Sequence, residues 1–185
     1  PSTPYGVAKL AGDLHIEALI KRYQFPAVFT RAANVYGPHQ QLYRIIPRTI
    51  LYLLSGKKLT LHGGGKSKRG FVNIRDVAQA TLSAAEKGKI GESYHISETD
   101  QLISIRSLVE LICKIMNVST DGFLELTDEN FGQDDCFSLS SKKAEVELGW
   151  KSQISLENGI ESVVAWIKDN WQFLQTQPWD YQHKI

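Results

Sequence analysis

Two cysteines in 185 residues, Cys113 and Cys136, are too few for a disulfide framework, and neither sits at a metal-ligand spacing. No apolar run approaches the roughly 18 residues that a membrane-spanning helix needs, and no leader-like stretch opens the chain. Charge of either sign is not in excess: 21 basic and 20 acidic side chains leave +1. That balance argues against a nucleic-acid or membrane-surface role driven by electrostatics. The remaining histidines show no metal spacing, so no metal is expected. Repeats and low-complexity segments are missing too. No GxGxxG or GxxGxxG follows a strand, so a nucleotide-binding Rossmann half is not expected here. A soluble, cytoplasmic α/β protein is the expectation, with one core or a little more than one.

The chain opens on Pro4-Tyr5-Gly6-Val7-Ala8-Lys9. Residues 5–23 read as a helix with Leu10, Leu14, Ala18 and Leu19 on one stripe. Positions i and i+4 share a helix face, so the Lys9 ammonium can sit near the Tyr5 phenol. A tyrosine hydroxyl ordinarily titrates near pH ~10. A nearby cation favours the phenolate and makes the pair a candidate general acid/base. Alone the spacing is weak, and an ordinary surface pair is the competing reading.

Further elements follow from period and punctuation. Residues 26–30 suit a buried parallel strand, broken after Tyr36-Gly37-Pro38. Pro47 opens a helix to Leu54, closed by Ser55-Gly56. Residues 59–62 and 70–74 are expected as paired or neighbouring strands across the glycine turn at 63–65. Asp76 is expected to cap a helix to Glu86, and Ser93–Ile96 to form a strand. Ser104, Ser140 and Ser155 are expected to cap helices reaching Met116, Leu148 and Trp171, with a strand at 123–126 between the first two. Cys113 reads as a small core residue, and residues 172–185 show no period. His62-Gly63-Gly64-Gly65-Lys66 lacks the P-loop spacing and any GxSxG serine, so it reads as a tight turn.

Downstream of the Tyr/Lys pair come Thr30-Arg31-Ala32-Ala33-Asn34-Val35-Tyr36-Gly37-Pro38 and Arg69-Gly70-Phe71-Val72-Asn73-Ile74-Arg75-Asp76-Val77-Ala78. Gly91-Glu92-Ser93-Tyr94-His95-Ile96 and Glu147-Leu148-Gly149-Trp150 complete the series. In this order the chain resembles the C-terminal part of the extended short-chain dehydrogenase/reductase family, from Pro1 to about Trp171. The nucleotide-sugar 4,6-dehydratases of the dTDP-glucose type look most similar.

The resemblance implies a fold: the last parallel strands and helices of a Rossmann-type domain, plus a small α/β substrate-binding domain. Residues 1–38 would end the NAD-binding domain, 39–171 would form mainly the substrate subdomain with segments returning to the sheet, and 172–185 a tail. It implies NAD as cofactor, a nucleoside-diphosphate sugar as partner, and a homodimer of the full-length protein. Neither a nucleic acid nor a membrane is implied as a partner. Tyr5 would be the acid/base toward the sugar 4-hydroxyl, and Lys9 would bind the nicotinamide ribose and lower the phenol's pKa. The backbone at Ala32 and Ala33 would lie near the nicotinamide.

Substrate contacts are implied at Asn34, Arg44, Ile45, Thr60, His62, Arg69, His95 and Asn130. Arg69 suits the diphosphate because a guanidinium binds paired oxygens. The competing readings are a turn residue for Asn34 and a solvated cation for Arg69. Two stretches depart from the family pattern. Asn130-Phe131-Gly132-Gln133-Asp134-Asp135-Cys136 stands where relatives carry Arg-Pro-Gly-x-Asp-x-Arg, and His95-Ile96-Ser97 where they carry Asn-Ile-Gly. A 4-epimerase of the same family and a non-catalytic nucleotide-sugar-binding or interaction module are the alternatives. The chain by itself is expected to be inactive, because the cofactor's adenosine site would lie upstream.

Overall fold

A computed structural model of the chain describes residues 3–98, 102–128 and 135–181. The chain opens with α1 (Pro4–Tyr23), followed by β1 (Phe29–Ala32), β2 (Asn34–Tyr36) and α2 (Ile45–Ser55). Next come β3 (Leu59–Leu61), β4 (Lys68–Asn73), α3 (Ile74–Lys87), β5 (Ser93–Ile96), β6 (Leu102–Ser104) and α4 (Ile105–Ile115). The last elements are β7 (Leu124–Leu126), β8 (Cys136–Phe137), α5 (Lys142–Leu148), α6 (Leu156–Asp169) and α7 (Trp171–Leu174). The architecture is α/β with mostly parallel pairing.

β1 pairs with β5, and β2 with the second half of β4, both in parallel. Between β1 and β2 the chain passes from one sheet to the other at Ala33, whose amide still donates to the Ile96 carbonyl at 2.8 Å. The first half of β4 takes β6 antiparallel and β8 parallel. β3 pairs with β7 in parallel. The expected pairing of 59–62 with 70–74 is therefore corrected. Gly63, Gly64 and Gly65 all adopt positive φ (58°, 63° and 67°), which needs glycine. The resulting turn sends the chain out of β3 into a different sheet. It does not fold back as a hairpin.

Three apolar clusters hold these layers. Ile46, Ile50, Leu51, Leu108, Ile112, Ile160, Val163 and Ile167 knit α2, α4 and α6 together against Tyr36 and Phe71. Each fully buried aliphatic side chain contributes about 1.5–3 kcal/mol, so this is the principal core. Val72, Tyr94, Ile96, Ala80, Ala84, Leu148 and Trp150 pack α3 and α5 on the sheets. Leu59, Leu61, Val109, Phe123 and the buried Cys113 form the third cluster. Cys113 is the small core residue that its helical pattern suggests.

Several local expectations change. α3 is capped by Asn73, whose side-chain oxygen accepts from the Arg75 amide at 3.0 Å. Asp76 is not the cap. Its buried carboxylate accepts from Ser152 Oγ (3.0 Å), the Gln153 amide (3.2 Å) and the Ile154 amide (3.0 Å), and its carbonyl accepts from Trp150 Nε1 (3.0 Å). α5 starts after Ser141, one residue later than expected, and Ser141 Oγ is engaged with the backbone of Ser97 instead of capping. α6 ends at Asp169, and the segment read as structureless contains α7. Ser104 and Ser155 do cap their helices, accepting from Ser107 and Asn158.

α1 itself differs from the other long helices. Thr3 caps it by accepting from the Gly6 amide, and Gln24 closes it in the left-handed region, yet it buries no residue. The expected stripe is not covered: Leu10, Leu14 and Ala18 are exposed. The helix is tied to β1 by Arg31, which donates to Asp13 at 2.6 Å and to Ser93 Oγ.

Candidate functional site

β1 and β5 end beside the switch at Ala33, just before β2 begins, and open α/β sheets leave a ligand crevice at such carboxyl ends. A cavity of about 630 Å³ opens there, lined by Ala33, Asn34, Val35, Gln40, Gln41, Tyr43, Arg44, Ile45, Ile46, Arg69, Phe71 and Ile105. Five of the residues singled out from the sequence meet in it: Ala33, Asn34, Arg44, Ile45 and Arg69. Asn34 is the first residue of β2, in register with Phe71, and does not occupy a turn. Arg44 stands at the N-terminus of α2, its guanidinium 5.4 Å from the Tyr43 ring centre. Arg69 extends from β4 and donates to the Lys68 carbonyl at 2.8 Å. Two guanidiniums facing one cavity suit a ligand with two anionic groups, because their forked donors match phosphate oxygens in pairs.

A second cavity, of about 250 Å³, shares Ile45 and Ile105 with the first. Arg48, Thr60, Leu61, His62, Gly65 and Ser67 complete its wall. It therefore brings in Thr60 and His62. His62 Nδ1 lies 3.2 Å from Thr127 Oγ1, which orients the imidazole across the glycine turn. A third, larger and more open cavity of about 770 Å³ lies between residues 39–43 and the C-terminal segment, with Trp166, Phe173, Pro178 and Tyr181 on its wall. None of its described wall residues is an arginine, so the first two cavities are the better fit to an anionic ligand.

The other predicted residues stand elsewhere. Tyr5 and Lys9 occupy the first two turns of α1, where Tyr5 is 76% exposed and Lys9 is exposed too. Neither lines the cavities, and the pair is open to a partner from outside the described residues. Ala32 packs on the second core cluster and closes β1. His95 lies opposite Arg31 in the β1–β5 register and lines neither cavity. Asn130 falls outside the described residues. Cys136 lies in β8, in register with Lys68 beside Arg69.

Sequence reasoning passed over Gln40, Gln41, Tyr43, Arg48, Ser67, Phe71 and Ile105. One signal could have found Arg48: it follows Arg44 by four residues, one helical turn on. No comparable signal marks Ile105, which reaches the site from α4.

A half-buried acid, Glu98, and a buried phenol, Tyr36, lie near this region. Burial, reinforced by Glu157 and Asp76, raises the Glu98 carboxyl above its ordinary value. Burial also raises the Tyr36 phenol, whose hydroxyl faces the Ser155 and Leu156 carbonyls. Among the described residues no cluster of histidine, cysteine and acidic side chains could hold a metal ion, and no helix is long and apolar enough to cross a membrane.

Comparison with known proteins bears on the same region. The mouse protein named dTDP-D-glucose 4,6-dehydratase is 33% identical over 175 residues, covering 92% of this chain and 49% of its own length. A solved dTDP-glucose 4,6-dehydratase from Bacillus anthracis, in complex with NAD, superposes with a TM-score of 0.86 at 29% identity. It covers 94% of this chain and 54% of that one. A UDP-glucose 4-epimerase from Thermotoga maritima, solved with UDP-glucose, gives the same TM-score at 28% identity, covering 92% and 55%. The chain spans about half the length of the curated relatives it matches. The model of the NAD dependent epimerase/dehydratase family matches residues 1–97, just over half of the chain, and this protein belongs to that family.

Proposed function

We propose that this chain is the substrate-binding portion of an NAD-dependent nucleotide-sugar 4,6-dehydratase, acting as a cytoplasmic homodimer. The observation that carries the reading is the meeting of Arg44 and Arg69 in one cavity at the strand ends, beside Asn34. A nucleoside-diphosphate sugar would lay its diphosphate between the two arginines, with its nucleoside toward Thr60 and His62 and its sugar toward Asn34. Residues 1–38 would belong to the cofactor domain, 39–171 mainly to the substrate subdomain, and the remainder would be a tail. The exposed Val7, Leu10 and Leu14 on α1 support a covered helix face in the homodimer.

The residues present fit the nicotinamide end of the cofactor. A phenol and an ammonium one turn apart match a hydroxyl-bearing ribose, and the small Ala33 leaves room at the strand end. NAD, when bound, supplies the acceptor of the C4 hydride and its return to C6. Tyr5 Oη takes the O4 proton as that hydride leaves, because the carbonyl cannot form while the oxygen keeps it. Lys9, one helical turn on, would donate to the hydroxyls of the nicotinamide ribose. Water is then lost across C5 and C6.

The similarity to dTDP- and UDP-glucose dehydratases favours this reading over the 4-epimerase, which would use the same pair. The test is to incubate the whole protein with NAD⁺ and dTDP- or UDP-glucose and follow the sugar by mass spectrometry. A product lighter by one water is expected. A 4-epimer of unchanged mass would establish the epimerase, and recovery of both sugars unaltered would leave a non-catalytic module. Tyr5→Phe should lower turnover about 10²- to 10⁴-fold, the usual contribution of a positioned acid/base.

A further inference from the structure

The smaller cavity differs in chemistry from the larger one that it adjoins. Ile45, Leu61 and Ile105 give it apolar walls, while Arg48, Thr60 and Ser67 add donors. Apolar faces with a few fixed donors suit a flat heterocycle bearing ring carbonyls. Arg48 is the strongest of these donors, and it is held in an unusual way. Its Nη2 donates to the Tyr52 hydroxyl at 3.0 Å and lies 3.3 Å from an Asp180 carboxylate oxygen. The guanidinium carbon stands 5.0 Å from the Tyr52 ring centre. Its Nε is buried without a hydrogen-bond partner among the described residues.

Asp180 is itself placed by the C-terminal segment. The Trp179 ring packs near Tyr52 and Trp171, with centroids 6.2 and 6.1 Å away, and the Lys57 ammonium lies 4.7 Å from its centre. Trp179 Nε1 donates to the Leu174 carbonyl at 2.8 Å. The segment after α7 thus delivers a carboxylate to the Nη2 edge of the guanidinium of Arg48, a residue that lines the cavity.

We propose that Arg48 reads the nucleoside of the bound nucleotide, donating to a ring carbonyl of a pyrimidine base, and that Asp180 is the positioning residue that aims it. This rests on the reading of the cleft as a nucleoside-diphosphate site. A guanidinium held on one edge by a carboxylate has a fixed rotamer, so its remaining donors are presented without further ordering. The C-terminal segment then acts on substrate selection without touching the reacting sugar.

The test is calorimetric titration of the 185-residue chain with UDP, dTDP and inorganic pyrophosphate, with circular dichroism melts to verify that each variant folds. Arg48→Ala should weaken both nucleotides about tenfold, the effect of losing one charged hydrogen bond, and leave pyrophosphate binding unchanged. Asp180→Asn should weaken the nucleotides in the same direction by a smaller factor. Arg69→Ala should weaken all three ligands. Arg48→Lys should recover only part of the loss, because an ammonium lacks the planar fork. Nucleotide binding undiminished in Arg48→Ala, or an equal loss for pyrophosphate, would overturn the assignment of Arg48 alone. Failure of the unaltered chain to bind any of the three would overturn the cleft reading together with it.

Discussion

Gly159 shows how one missing carbon sets a packing distance. It lies within α6, where alanine would ordinarily favour the helix by about 0.5–1 kcal/mol. A Cβ at this position would stand 2.1 Å from the Tyr36 hydroxyl and 2.7 Å from two of its ring carbons. Tyr36 is itself almost fully buried and cannot swing away. Overpacking costs about 1–3 kcal/mol, so Gly159→Ala should lower stability despite its better propensity, as read from the urea midpoint.

Glu98 makes the opposite kind of prediction, one of pH. Its folded carboxyl is raised by burial first and by Glu157 and Asp76 next. The folded state therefore holds this proton more tightly than the unfolded state does. Stability from this group is full below the ordinary carboxylate range and falls as pH rises through the raised value. Glu98→Gln should accordingly raise the melting temperature at pH 7 and leave it unchanged at low pH. The effect should be modest, because the group keeps much of its solvent.

Among the elements, α3 and the loop before α6 are joined by a single carboxylate. Asp76 accepts three hydrogen bonds from Ser152, Gln153 and Ile154 while only 5% exposed. Asp76→Ala would take the acceptor away from two amides and a hydroxyl in a partly buried loop. A loss of about 3 kcal/mol is expected in chemical denaturation, since hydrogen bonds to charged groups contribute about 1.5–3 kcal/mol each and do not add fully. Asp76→Asn, which keeps one acceptor oxygen, should cost less. An aspartate just after a strand resembles a helix cap in sequence, which explains the misplacement by three residues. Its true partners lie more than seventy positions downstream. Nothing local reports them.

Across the molecule, stability is unevenly distributed. α2, α4 and α6 share one cluster of fully buried side chains, whereas α1 buries none and is tied to β1 through Arg31. Amide hydrogen exchange on the 185-residue chain should find α6 protected to the level of global unfolding and α1 exchanging orders of magnitude faster. Equal protection would mean that α1 is covered by a surface not described here.

The caps at Ser104 and Ser155, the left-handed glycines at 63–65 and the apolar periods of α2 and α4 were legible, because each depends on residues within one or two turns. The motif series, and with it the family, was legible for the same reason. The pairing of β3 with β7, the convergence of Arg44 and Arg69 on one cavity, and the packing of Trp179 and Asp180 against α2 were not. Those features depend on closing loops between distant segments, and a cavity is bounded by residues whose neighbours in space share no period along the chain.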